Sequence, residues 1–195
     1  LENKAQLLEK EKTIVQYDNL KQQLNPHFLF NSLTSLRSLI RVEPATATHF
    51  LDGLSKTYRY LLKSGDNEMV SLQQELNFVE TFSDLQKTRF KEGLQIHVDV
   101  DDSYHNKFIV PATLQNLIEN AIKHNTACEE SPLAIDIYTE NDYIVVKNNL
   151  QRYRIVETSN KRGLASLSSL YRFLSDKAVV VIENENSFIV KIPLI

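Results

Sequence analysis

The sequence predicts an α+β protein, a helical hairpin followed by a sandwich in which helices cover one face of a mostly antiparallel sheet. Three observations predict it. Residues 1 to about 64 carry helical apolar spacing and no strand-like alternation. After Gly93 the period changes to two: Leu94, Ile96, Val98 and Val100 alternate with Gln95, His97, Asp99 and Asp101. From there to the end, strand-like runs are interleaved with two helical ones. At 195 residues, 42% hydrophobic and 24% charged, the chain suits one large domain or two small ones with packed cores.

The elements follow in order. The opening LENKAQLLEKEKTIVQYDNLKQQL has heptad-spaced pairs Leu7/Ile14 and Leu8/Val15, a short coiled-coil lead-in. Asn25-Pro26 reads as an N-cap followed by proline at the first helical position, so the helix breaks or kinks there. In NPHFLFNSLTSLRSLI, Leu29, Leu33, Leu36 and Ile40 form an apolar stripe, with His27, Asn31, Thr34 and Ser38 opposite. Pro44 ends that helix. The next, from about Ala45 to Lys63, turns Phe50, Leu51, Leu54, Tyr58, Leu61 and Leu62 inward and stops at Gly65. Such a hairpin has too little core alone, so dimerisation into a four-helix bundle completes it. Ser71 and Gln74 form a capping box for a helix to about Phe90, with Leu72, Leu76, Val79, Phe82 and Leu85 inward. Pro111 opens a helix to about Asn125. Strands are expected at Leu133–Thr139 and Tyr143–Asn148, a helix at Leu164–Leu174, and a hairpin from Ala178–Glu183 and Phe188–Ile192 around ENENS.

Composition excludes several functions. A net charge of −3 gives no basic field for nucleic acid or anionic lipid. A single cysteine, Cys128, rules out an internal disulfide and a cysteine-based zinc site. The four glycines, Gly53, Gly65, Gly93 and Gly163, are too scattered for a P-loop or a dinucleotide fingerprint. No run reaches the ~18 apolar residues of a membrane span. The chain begins at Leu1 and its one methionine is Met69, so we read it as a piece of a longer protein with an N-terminal membrane sensor region outside it.

The helix from Pro111 carries the chemistry. Leu114, Leu117, Ile118, Ala121 and Ile122 cover one arc of roughly 140°, and Asn116, Glu119, Asn120 and Lys123 gather on the other side. Such a face can be an ordinary solvated one. Asparagine, however, is a poor helix former, and here two sit mid-helix four residues apart, beside a glutamate and a lysine. Amide and carboxylate oxygens suit Mg²⁺, which takes few protein ligands, and Lys123 can meet a phosphate.

KQQLNPHFLFNSLTSLRSLI (residues 21–40) and VPATLQNLIENAIKHN (110–125) resemble the two signature blocks of the LytS/YehU-like sensor histidine kinases of bacterial two-component systems, in matching spacing. SLQQELNFVETFSDLQKTRF between them resembles the family's linking helix, and the resemblance runs over nearly the whole chain from about Leu20. It implies a dimerising and histidine-phosphotransfer region over residues 1–66 and a Bergerat-type ATP-binding sandwich over 67–195, with the linking helix at 69–92. His27 matches the phosphoacceptor and Asn120 the asparagine that coordinates Mg²⁺. Asn116, Lys123 and His124 line the same helix with Glu119, an assisting carboxylate. The residue types agree: a solvated imidazole offers an unprotonated nitrogen near pH 7. His49, His97 and His105 lack such a context and are assigned structural or solvated roles. ATP and Mg²⁺ are the implied ligands, a response regulator and a second copy the implied partners, and the cytoplasmic side of the inner membrane the implied location.

The chain departs from the family at the nucleotide pocket. VVKNNLQRY places Asn148 where a D-x-G-x-G motif has the aspartate that accepts the adenine amino group. An amide oxygen accepts that bond without charge assistance. In Lys161-Arg162-Gly163-Leu164 lysine replaces one glycine. Gly163 still offers a backbone N–H at a helix start beside Leu164, while Lys161 and Arg162 either add charge near phosphate or are solvated. The loop between Asn149 and Gly163 is the natural lid. Two function classes result: an active histidine kinase that passes a phosphoryl group from His27 to a response-regulator aspartate, and a degenerate module that dimerises and binds a partner without phosphotransfer. A helical nucleic-acid binder is opposed by the acidic balance.

Overall fold

The computed structural model describes residues 26–64, 67–151 and 161–195. The coiled-coil lead-in, the Asn25 cap, the stop at Gly65 and the lid loop over 152–160 lie outside the described residues. The chain divides into two units, Leu1–Glu68 and Met69–Ile195.

In the first unit, α1 (Pro26–Val42) and α2 (Pro44–Ser64) pack as a hairpin around the single residue Glu43. Pro44 both ends the first helix and starts the second, because its fixed φ suits a first helical position. Ala47, Phe50, Leu54, Thr57, Leu61 and Ser64 are buried at three- and four-residue intervals along α2. On α1 the buried residues are Phe28 and Ser32, and the Phe28 ring lies 6.2 Å from that of Tyr58. This corrects the expected stripe: Leu33 and Ile40 on α1 and Leu51 and Leu62 on α2 are exposed. The hairpin closes on a narrower seam than its apolar residues offer.

The second unit holds a two-stranded sheet of β1 (Val70–Ser71) and β3 (Phe108–Ile109), and a five-stranded mixed sheet. The large sheet has the order β2 (Leu94–Asp99), β4 (Leu133–Glu140), β5 (Tyr143–Asn149), β7 (Ser187–Pro193), β6 (Val180–Glu183). Its β2–β4 pair is parallel and the others are antiparallel. The parallel pair needs a long crossover, supplied by the segment that contains α4 (Thr113–His124). Alternation sets the core: Leu133, Ile135 and Ile137 on β4 are fully buried, and α4 and α3 (Leu72–Phe90) pack against the sheet. Gly93 lets its turn approach the segment after α4, since a Cβ there would lie 3.0 Å from the backbone of Ala127 and Cys128. The last helix, α5 (Lys161–Leu174), buries Tyr171 completely. The Tyr171 hydroxyl accepts a 3.1 Å hydrogen bond from the Val110 N–H, and burial pushes its pKa up to about 12.

The capping box is present: Ser71 Oγ accepts from the Gln74 N–H, and the Gln74 side chain accepts from the Ser71 N–H. The start of α4 departs from expectation. Pro111 lies outside the helix, and Ala112 precedes it at φ 59°. Glu75, fully buried on α3, accepts 3.0 Å hydrogen bonds from the N–H groups of both Ala112 and Leu114. A carboxylate from another helix thus takes the role of the N-terminal cap and favours the positive helix end. We expect Glu75→Ala to lower the unfolding free energy by about 3–4 kcal/mol in urea titration, because it strands buried donors. Glu75→Gln, which keeps one acceptor, should lose about half of that.

Candidate functional site

On α4, Leu114, Leu117, Ile118 and Ala121 are buried, Asn116 and Lys123 are exposed, and Glu119, Asn120 and His124 are half-buried. The helical period therefore holds the expected polar residues on the side turned from the core. Gln115, one turn before Glu119, donates from Nε2 to Glu119 Oε1 at 3.2 Å and orients that carboxylate. Arg89, near the end of α3, donates to Gln86 Oε1 at 3.1 Å and lies 5.0 Å from the Phe90 ring centroid. Burial draws its pKa below the ordinary arginine value, partly offset by the charge of Glu119.

Asn148 is buried near the end of β5, in one cross-strand row with Ile135 and Phe188. Its Nδ2 donates to the Asn149 carbonyl at 2.6 Å, which orients the amide group, with Oδ1 as its acceptor side. Asn149 is a structural residue: Oδ1 accepts from the Ala134 N–H at 2.9 Å and Nδ2 donates to the Pro132 carbonyl at 3.1 Å. Gly163 stands third in α5, in its first turn, followed by half-buried Leu164.

His27 is exposed in the first turn of α1. The Asn31 Nδ2 lies 3.1 Å from its Nε2 and 3.3 Å from its Nδ1. The amide N–H can donate to whichever ring nitrogen is unprotonated, and the contact holds the imidazole along the helix.

Within the second unit the fold packs α4, with Asn116, Glu119, Asn120, Lys123 and His124, against β5, with Asn148. Among the described residues no three His, Cys, Asp or Glu side chains gather as a metal cage. The donors on α4 are amide oxygens beside one carboxylate. They fit Mg²⁺, an ion that keeps phosphate oxygens and water as most of its ligands. Sequence reading missed Arg89, Gln115, Asn125, Asn149 and Gln151. The Gln115–Glu119 spacing of four residues was a signal; the others act across long sequence separations.

The histidine kinase family matches residues 15–94. The sensor protein LytS of Oceanobacillus iheyensis is 37% identical over 131 residues, 66% of this chain and 22% of that protein. The sensor histidine kinase/phosphatase LytS of Staphylococcus aureus is 30% identical over 147 residues, 75% of this chain and 24% of that protein. The sensor protein kinase HptS of Staphylococcus aureus is 31% identical over 137 residues, 69% of this chain and 26% of that protein. The chain thus spans about a quarter of the length of these relatives.

Proposed function

We propose, from the premise that this chain belongs to the LytS-like sensor histidine kinases, that it is a kinase region that phosphorylates His27 from ATP and passes the phosphoryl group to a response-regulator aspartate. The observation that carries the reading is that α4 holds Asn116, Glu119, Asn120 and Lys123 on the side turned from the core, and that this helix packs within the same unit against β5, the strand that bears Asn148. In the same reading the region lies on the cytoplasmic side of the membrane, within a longer homodimeric sensor. Among the described residues no helix is long and apolar enough to cross a membrane.

Each residue has a chemical task. Asn148 Oδ1 accepts from the adenine amino group, and Lys123 and the Gly163 N–H meet phosphate oxygens. Asn120 would hold Mg²⁺, which when bound neutralises phosphate charge, and Asn116, one turn earlier, lines the nucleotide side. Glu119, oriented by Gln115, assists as a fixed carboxylate, and His124, the last residue of α4, lines the nucleotide side beside Lys123. An unprotonated ring nitrogen of His27 forms a bond to the γ-phosphorus as the bond to the bridging oxygen breaks, and ADP departs with that electron pair. Phosphoryl transfer of this kind depends on positioning and electrostatics. Incubation with Mg²⁺ and ATP labelled in the γ-phosphate tests the reading: the label should enter the protein, and an unlabelled protein would count against it. The degenerate module is the second reading, favoured by a neutral Asn148 and by Lys161 in place of a glycine. Failure to bind nucleotide even at millimolar concentration selects it.

The dimer rests on exposed apolar side chains. Phe30 is 68% exposed and Val42 76%, and Leu33, Ile40, Leu51 and Leu62 are exposed with them. A second hairpin would bury this surface in a four-helix bundle. We expect a dimer by sedimentation at micromolar concentration. Leu33→Asp should weaken it at least about tenfold, since burying one leucine contributes roughly 1.5–3 kcal/mol. A monomeric parent chain would exclude the bundle.

A further inference from the structure

The structure assigns Asn125 a positioning role: together with Gln151 it braces the end of β5 to the end of α4 and thereby fixes the spacing between Asn148 and Asn120. This rests on the nucleotide reading above. Asn125 follows the last residue of α4 and is only 2% exposed. Its Nδ2 donates to the Ala121 carbonyl at 2.8 Å, which satisfies one of the open acceptors at the helix end. Its Oδ1 accepts from the Gln151 N–H at 2.7 Å, and the Gln151 carbonyl accepts from the Thr126 N–H at 2.9 Å. Gln151 Nε2 then donates to the Pro132 carbonyl at 2.6 Å, the same oxygen that accepts from Asn149 Nδ2 at 3.1 Å. Asn149 Oδ1 holds the Ala134 N–H. One continuous set of hydrogen bonds therefore joins the last turn of α4, the exit of β5 and the start of β4.

The consequence is geometric. Asn120 lies five residues before Asn125, and Asn148 three residues before Gln151. A nucleotide that touches Asn148 with its base and Asn120 through its phosphates spans two elements whose ends meet in this brace. Paired polar side chains set the approach of strand and helix where this chain has no glycine in the stretch that directly follows Asn148, the next being Gly163. A buried network with its members paired holds one arrangement.

The test compares two ligands. Adenosine reaches only the base side, whereas Mg-ATP needs both sides at their proper separation. In the full chain, Asn125→Ala should weaken Mg-ATP roughly tenfold and adenosine less than about twofold. Asn125→Asp keeps the acceptor for the Gln151 N–H but sets a buried carboxylate against the Ala121 carbonyl, so it should not recover the loss. Gln151→Ala, which removes only the side-chain bond to the Pro132 carbonyl, should weaken Mg-ATP roughly threefold with adenosine unchanged, and it serves if the alanine variant at Asn125 does not fold. Equal loss of both ligands, or loss of neither, overturns the positioning role. Amide exchange at Gln151 and Thr126 is read without any ligand: it should quicken in Asn125→Ala, and unchanged exchange overturns the brace. A native chain that binds neither adenosine nor Mg-ATP overturns the nucleotide reading, and the positioning role with it, whatever the exchange shows.

Discussion

His27→Gln should abolish phosphorylation while leaving ATP affinity unchanged within about twofold. The native chain, given Mg²⁺ and γ-labelled ATP, should acquire a phosphoryl group that is lost in acid and kept in base, the stability expected of a phosphorus–nitrogen bond. Glutamine keeps polarity and helix compatibility but has no nucleophilic nitrogen, because its amide lone pair is delocalised. The loss is therefore chemical and should be complete. Helix α1 should persist, since its buried contacts run through Phe28 and Ser32 on other faces. The side chains proposed to hold nucleotide belong to the second unit, so binding is a separate measurement, which the variant should pass. Retention of acid-labile label would move the acceptor to another histidine. His49 and His97 are exposed, and His105 sits 3.6 Å from Asp102. None of these has an amide four residues on in contact with its ring, as His27 has in Asn31.

The helices were legible wherever burial follows a helical period, as at Leu114, Leu117, Ile118 and Ala121. The strands were legible where one face is buried, as at Leu133, Ile135 and Ile137. The direction of the β2–β4 pair was not, because alternation reports which face is buried and not which neighbour lies alongside. The β1–β3 pair is two residues per strand, too short for any period. The start of α4 was misplaced because proline normally opens a helix, whereas here Glu75, distant in sequence, sets the first turn. The stripe of Leu29, Leu33, Leu36 and Ile40 marks an apolar surface, but a pattern does not say whether the same chain or another covers it. At the candidate site, residue types on one helix could be read in advance. The brace from Asn125 to Gln151 and Pro132 could not, since each bond joins segments whose proximity is a result of the fold.

Asn120→Ala and Asn148→Asp should act in opposite directions on different ligands. Asn120 is half-buried on the polar side of α4, and alanine there retains the helix and strengthens its propensity. The loss is an amide oxygen for the ion. Phosphorylation in Mg²⁺ should fall at least about a hundredfold, the scale on which displaced charge stabilisation affects phosphoryl transfer. Metal-free nucleotide should still bind, because Asn148 is untouched. Asn148→Asp places a carboxylate where the amide oxygen now accepts, and a charged acceptor makes the stronger bond to an amino group. Against this, the buried aspartate gives up the bond from Nδ2 to the Asn149 carbonyl and pays for its own desolvation. The amino donor from adenine outweighs these only when the base is seated. Affinity for ATP and ADP alike should then rise a few-fold, by roughly 1 kcal/mol, with or without Mg²⁺. Titrating both variants with ATP and ADP, in metal and in chelator, separates the two roles. Normal phosphorylation by Asn120→Ala removes the metal assignment. Unchanged or weaker binding by Asn148→Asp places the adenine amino group away from this side chain.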